Sequence, residues 1–146
     1  MTYSELTDTV RSICERIHNM GCFYTSDVYE AWNRSDVRYS SVVMYLTGAQ
    51  REENVITYNV LLYYGDRLLM DCSNRDAIFD DGIRVLTTVI DNLPYEVEYT
   101  TPITYNTFEQ QFMDNLAGVY VNLQLDCMFD QGKCGLPLDD SMTGNF

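Results

Sequence analysis

Strict alternation is the feature that most constrains this chain. In "AGVYVNLQLDC", Ala117 to Cys127, every second residue reads Ala, Val, Val, Leu, Leu, Cys, and the residues between read Gly, Tyr, Asn, Gln, Asp. In Asn54–Tyr64, the residues Ile56, Tyr58, Val60, Leu62 and Tyr64 make one strongly apolar face. The other face, Val55, Thr57, Asn59, Leu61 and Tyr63, is mixed, which predicts that something covers part of it. Successive side chains of a strand point to opposite faces, so this pattern predicts strands with one side in a core. Val37 to Thr47 is also rich in strand-forming residues and is joined to Asn54 by "GAQREE", a polar connection of hairpin length. A further alternating run reads Tyr95, Val97, Tyr99, Thr101, Ile103, Tyr105 against Glu96, Glu98, Thr100, Pro102 and Thr104. With Ala117–Cys127 it forms a second expected hairpin, across an unusually apolar and aromatic connection from Asn106 to Leu116. Pro102 has no N–H for a ladder and belongs at an edge or bulge.

Helical periodicity occupies two other places. "TYSE" offers a capping box, with Thr2 as N-cap and Glu5 three residues on. Leu6, Val10, Ile13, Ile17 and Met20 follow as one apolar stripe that Gly21 closes. Ser73 with Asp76 opens a second helix, whose wide buried side is Phe79, Ile83, Leu86, Val89, Ile90 and Leu93 and which Pro94 stops. Gly82 inside it costs ~1 kcal/mol relative to alanine, so close packing is expected there. "FYTSDVYEAWNRSD" reads as loop with one helical turn after Ser26, and Trp32 as a core anchor. The expectation is an α+β single domain over residues 1–127. Its antiparallel sheet comes from two β-hairpins packed with two amphipathic helices, in the order α-β-β-α-β-β. Residues 128–146 read as an irregular C-terminal arm.

Composition narrows the functional classes. Of the residues, 46% are hydrophobic and 21% charged, which argues against wholesale disorder. No apolar run reaches the ~18 residues of a membrane span, and "MTYSELTDTVRSICERI" lacks a signal-peptide core, so no membrane partner and no export are expected. The net charge of −13 opposes ordinary binding to a phosphate backbone, although DNA sliding past an acidic wall is compatible with it. Cys14, Cys22, Cys72, Cys127 and Cys134 contain no CxxC pair and read as reduced thiols, several packed as apolar groups, with a Cys127–Cys134 bridge as the alternative.

Catalytic chemistry finds little footing. His18 lies beside the first apolar stripe and reads as structural; with one histidine a His-rich metal site is excluded. Asp80 and Asp81 diverge by about 100° on a helix, Asp139–Asp140 lies in the arm, and "DCSNRD" lacks the glycine and glutamate of a calcium loop. No phosphate-binding glycine motif occurs. Asp66–Arg67 reads as a turn pair bonded to neighbouring backbone or to each other. No enzyme, cofactor or metal is therefore expected. The chain does have 12 tyrosines, and one lysine against eight arginines, a balance typical of protein interfaces.

The segment "DRLLMDCSNRDAIFDDGIRVLTTVIDNL" followed by "YEVEYTTPITYNTFEQQFMDNLAGVYVNLQLDC" resembles small virion proteins of tailed phages infecting gut Bacteroidales, of the tail-terminator and head–tail joining type. The matching motifs are Asp66–Leu68, Pro102–Tyr105, Phe108–Asn115 and Ala117–Val119, within a similarity from Val55 to Cys127. The resemblance implies a non-enzymatic subunit that closes into a homo-oligomeric ring around the DNA channel of the virion neck or tail. Such a protein is made in the host bacterial cytoplasm and contacts neighbouring portal, neck or tail proteins without reading DNA sequence. It also implies a subunit interface on Phe108, Glu109, Phe112, Tyr105 and Tyr120. The polar hairpin tip, Gln50, Arg51, Glu52 and Glu53, is the expected lumen or axial contact. The cysteine-bearing arm departs from the family pattern, and ring order varies within the family. An oligomeric α+β ligand-binding or regulatory domain would use the same hairpins and aromatic faces, and a small enzyme stands as a third class.

Overall fold

The alternating segments become strands, although the hairpin order expected of them is only partly matched, and the helices are arranged around them. The computed structural model describes residues 1–17, 21–33, 39–111, 115–128 and 136–138. The elements run α1 (Tyr3–Arg16), β1 (Cys22–Thr25), α2 (Val28–Trp32), β2 (Ser41–Glu52), β3 (Val55–Arg67), α3 (Arg75–Asp91), β4 (Val97–Tyr99), β5 (Asn106–Gln111) and β6 (Leu116–Met128). They form an α+β fold with a six-stranded mixed sheet in the order β1-β2-β3-β6-β4, with β5 also on β6. Strands β3 and β6 are its centre, antiparallel in a register that sets Tyr58 opposite Leu125, Val60 opposite Leu123 and Leu62 opposite Val121.

The expected order α-β-β-α-β-β is too simple in three places. First, "CFYT" is a strand, parallel to Ser41–Met44 of β2, so the sheet is mixed rather than antiparallel and α2 makes a third helix. Four residues carry too little alternation to announce a strand; its partner's backbone decides it. Second, "GAQRE", Gly48–Glu52, is strand rather than connection: β2 and β3 pair out to Glu52–Val55, and only Glu53 and Asn54 turn, with Glu53 at φ 54°. The inserted residue between Leu46 and Gly48 breaks the alternation by which strands are recognised. Third, the Tyr95–Tyr105 strand reduces to β4, and the expected connection contains β5. Around Pro102 the chain leaves the edge of β6 and returns at Asn106, as a residue without an N–H favours.

One face of the sheet carries the main core. Leu6, Val10, Ile13 and Cys14 of α1 and Ile78, Leu86, Val89 and Ile90 of α3 cover Val60, Leu62, Tyr64, Val119, Val121, Leu123 and Leu125. The Thr2 cap forms as read, its Oγ1 accepting from Glu5 N at 3.1 Å. Helix α1 ends at Arg16, with Ile17 as C-cap; the predicted continuation through His18 and Met20 lies outside the described residues. The start of α3 is shifted: Asn74, not Ser73, is the cap residue, and it makes no side-chain cap bond. Its amide instead accepts from Leu69 N at 2.9 Å and donates to Arg67 O at 3.0 Å, tying the helix start to the end of β3. Ile83 is 39% exposed, and Ile78 takes the buried place on the i, i+4 line through Gly82 and Leu86. That rotation lets the backbone at Gly82 approach the sheet, where an added Cβ would stand 2.8 Å from Val119 Cγ2 and 2.9 Å from Tyr64 Cδ1. Of the cysteines, Cys14 and Cys127 are buried, Cys22 and Cys72 are half-buried, and Cys134 lies outside the described residues.

Candidate functional site

The sheet face turned away from α1 and α3 is where the two ends of the molecule differ. Strand registers arrange it in cross-strand rows. From one end these are Ser41, Gly65, Gly118, Phe108; then Val43, Tyr63, Tyr120, Asn106; then Tyr45, Leu61, Asn122. They continue as Gly48, Asn59, Gln124; then Gln50, Thr57, Asp126, Glu98; and finally Glu52, Val55, Met128.

The first rows are closed. Trp32, fully buried, lies over Gly65, where a Cβ would stand 2.7 Å from its ring, and its Nε1 donates to Ser41 Oγ at 2.9 Å. Phe108 lies over Gly118, where a Cβ would meet its ring at 2.7 Å and Tyr64 O at 1.8 Å. Trp32, Phe108 and Tyr63 pack with ring centroids 5.7–6.1 Å apart, and Tyr120 stacks on Tyr63 at 5.0 Å. With Val28, Ala31, Val43 and Leu116 these rings make a second small core. This is the partial cover predicted by the mixed face of β3, and Trp32 is the core anchor expected. Burial, with Tyr120, Tyr29 and Asp27 nearby, raises the Tyr63 phenol. On the opposite face burial pushes Tyr64 up to about 12, against a hydrogen bond with Ser40 that lowers it.

Past Tyr63 and Tyr120 no helix covers the rows among the described residues. Asn122 and Gln124 are exposed, as are Tyr45, Gln50, Glu52 and Glu98. At the β6 edge, β5 pairs from Leu116 to Tyr120 and β4 from Leu125 to Cys127. Between them a polar notch of about 310 Å³ is lined by Thr100, Pro102, Thr104, Asn106, Asn122 and Gln124. On the other side of the sheet, β1 covers β2 only at Ser41–Met44, so the β2 edge from Tyr45 to Glu52 has no described strand outside it.

The predicted interface residues divide among these regions. Phe108 is half-buried in its own chain's aromatic cluster, and Tyr120 is half-buried against Tyr63. Tyr105 and Glu109 instead clip β5 and the residue before it to α3: the Tyr105 hydroxyl is 2.6 Å from Thr87 Oγ1, and Glu109 Oε2 is 3.5 Å from Arg75 Nη1. Phe112 lies outside the described residues. Gln50, Arg51, Glu52 and Glu53 are all exposed at the far end of the hairpin, and Arg51 Nε donates to Glu53 O at 2.9 Å. Asp66 and Arg67 sit within β3, not in a turn after it; Arg67 N donates to Asp66 Oδ1 at 2.8 Å and its guanidinium lies 5.1 Å from the Tyr39 ring centroid. Burial raises the Asp66 carboxyl above its ordinary value, only partly offset by that hydrogen bond. The sequence reading passed over Glu98 facing Asp126 and the amides beside them. Their signal was present, since the out-list of β6 turns from Gly and Tyr to Asn, Gln and Asp along the strand. The chain matches no protein-family model and no curated protein.

Proposed function

We propose that this chain is a non-enzymatic, self-associating structural subunit, a ring-forming component of a phage head–tail connector or tail terminator that surrounds the DNA channel. The observation that carries the reading is the edge of β2 from Tyr45 to Glu52, which has no described strand outside it and ends in the exposed hairpin tip. Unpaired backbone N–H and C=O groups on such an edge are a template for a strand of another copy. A head-to-tail contact of this kind closes into a ring when its rotation divides the circle. The charge of −13 suits a wall past which DNA must slide without sticking. A second reading, an oligomeric ligand-binding or regulatory domain, draws on the notch beside Asn122 and Gln124.

Native mass across concentration, with negative-stain images of each species, tests the two. Closed rings with a hole wide enough for duplex DNA are expected. Ala49→Lys places a charge on the open edge and should give a folded chain that no longer assembles. Arg51→Glu at the tip should leave the fold intact and lower incorporation into particles. Assembly unchanged by Ala49→Lys removes the β2 edge from the reading, and a small closed oligomer that retains a small molecule favours the second one.

A further inference from the structure

The open half of the sheet face is rich in acceptors and charged with one sign. Its rows contain Glu52, Asp126 and Glu98 but no lysine or arginine. Glu98 and Asp126 are direct cross-strand partners. Opposed residues of an antiparallel pair hold their Cβ atoms ~4.5–5.5 Å apart, and like charges there work against the pairing. Among the described residues no cation pairs with either carboxylate. Thr57 Oγ1 donates to Asp126 Oδ1 at 2.6 Å, which leaves most of the acceptor sites of the two groups open. In the next row Asn59 Oδ1 is screened from solvent and accepts no hydrogen bond from the described residues. A cationic side chain to meet its carboxylates is what this surface lacks.

We propose that the acid–amide face docks a cationic polypeptide segment of a partner protein, with an arginine lying across Glu98 and Asp126 beside Gln124 and Asn122. Charge complementarity selects a cation, and the mixture of carboxylates with neutral amides selects among cations. A guanidinium presents five N–H donors in a planar fork that serves both acceptor types at once, whereas an ammonium is a point charge. Calcium requires about 6–8 oxygen ligands, more than a facing pair of carboxylates supplies. The acidic surface repels nucleic acid. The notch between β4 and β5 receives the neighbouring polar residues of the segment, because β6 between Tyr120 and Leu125 faces no described strand on that side. This site is on the opposite side of the sheet from the β2 edge, so it stands or falls apart from the self-association proposed above.

The test is a fluorescence-anisotropy titration of the full chain, at about physiological ionic strength. The probe is a labelled five-residue peptide of alternating threonine and arginine; its lysine and citrulline versions are the controls. The arginine peptide should bind more tightly than the lysine peptide, and the citrulline peptide should not bind. Glu98→Gln with Asp126→Asn should weaken binding at least about tenfold, a loss of order 1.4 kcal/mol. The charge-matched control, Glu30→Gln with Asp91→Asn at exposed helix positions, should change it less than about twofold. The site variant removes a like-charge contact, so its melting temperature should hold or rise, and its native mass should match the parent. Equal weakening by both double variants reduces the effect to net charge and overturns the proposal. So does equal binding of arginine and lysine peptides, binding of the citrulline peptide, displacement of the peptide by calcium alone, or no binding at all.

Discussion

The two halves of one sheet face, built on the same strands, do opposite things. At the closed end small residues, Ser41, Gly65 and Gly118, form a floor on which Trp32 and Phe108 lie, and the Trp32 Nε1 donor is satisfied internally by Ser41 Oγ. At the open end the same strands present amides and carboxylates whose acceptors outnumber their donors. The difference teaches where stability and recognition reside. A region whose polar groups are paired and whose apolar area is buried is used up by folding, and a region with unmatched acceptors retains capacity for a partner.

Mutations at the two ends should separate accordingly. Trp32→Ala should cost about 3–5 kcal/mol in urea-unfolding free energy, the range for emptying a buried aromatic site. A cost below about 1 kcal/mol would mean that the closed end is not a core at all. Gly118→Ala should destabilise by about 1–3 kcal/mol or more, because its new methyl meets both the Tyr64 carbonyl and the Phe108 ring. Tyr64 sharpens the comparison through pH. Its folded-state value near 12 exceeds that of an unfolded tyrosine near 10, so the native state holds the proton longer. The associated stability is present below the unfolded value and is lost as pH rises through the folded one. Tyr64→Phe should flatten the alkaline limb of a stability–pH curve, and an unchanged limb would locate the cause elsewhere. At the open end Glu98→Gln should raise stability by about 0.2–1 kcal/mol through relief of the like-charge pair, readable as a small upward shift in melting temperature. Asn122→Ala, exposed beside it, should stay within about 0.5 kcal/mol of the parent; a large loss there would erase the distinction between the halves.

Legibility in the sequence followed pattern length. The eleven residues from Ala117 to Cys127 alternate without interruption, and their core-facing residues are those the alternation gives, although on the other face Gly118 is buried beneath Phe108. Strand β1, with four residues, and β5, in a segment read as a connection, could not be recognised because neither contains enough repeats to establish a period. The bulge after Leu46 concealed the outer third of the first hairpin for the same reason. At the candidate site, Glu98 and Asp126 are separated by most of two strands in sequence, and only the β4–β6 register sets them face to face.

By itself the sequence determined the local codes: Thr2 as the cap of α1, the apolar stripes, the buried faces of β3 and β6, and Trp32 as an anchor. These depend on periodicity and on interactions within a few residues, which the chain carries wherever it is cut. Tertiary structure alone decided which strands neighbour each other, that Ile83 is left exposed while Gly82 packs on the sheet as expected, and that Gly65 and Gly118 become the floor beneath two aromatic rings. Those outcomes depend on the space left by distant segments, and a linear pattern contains no record of that space.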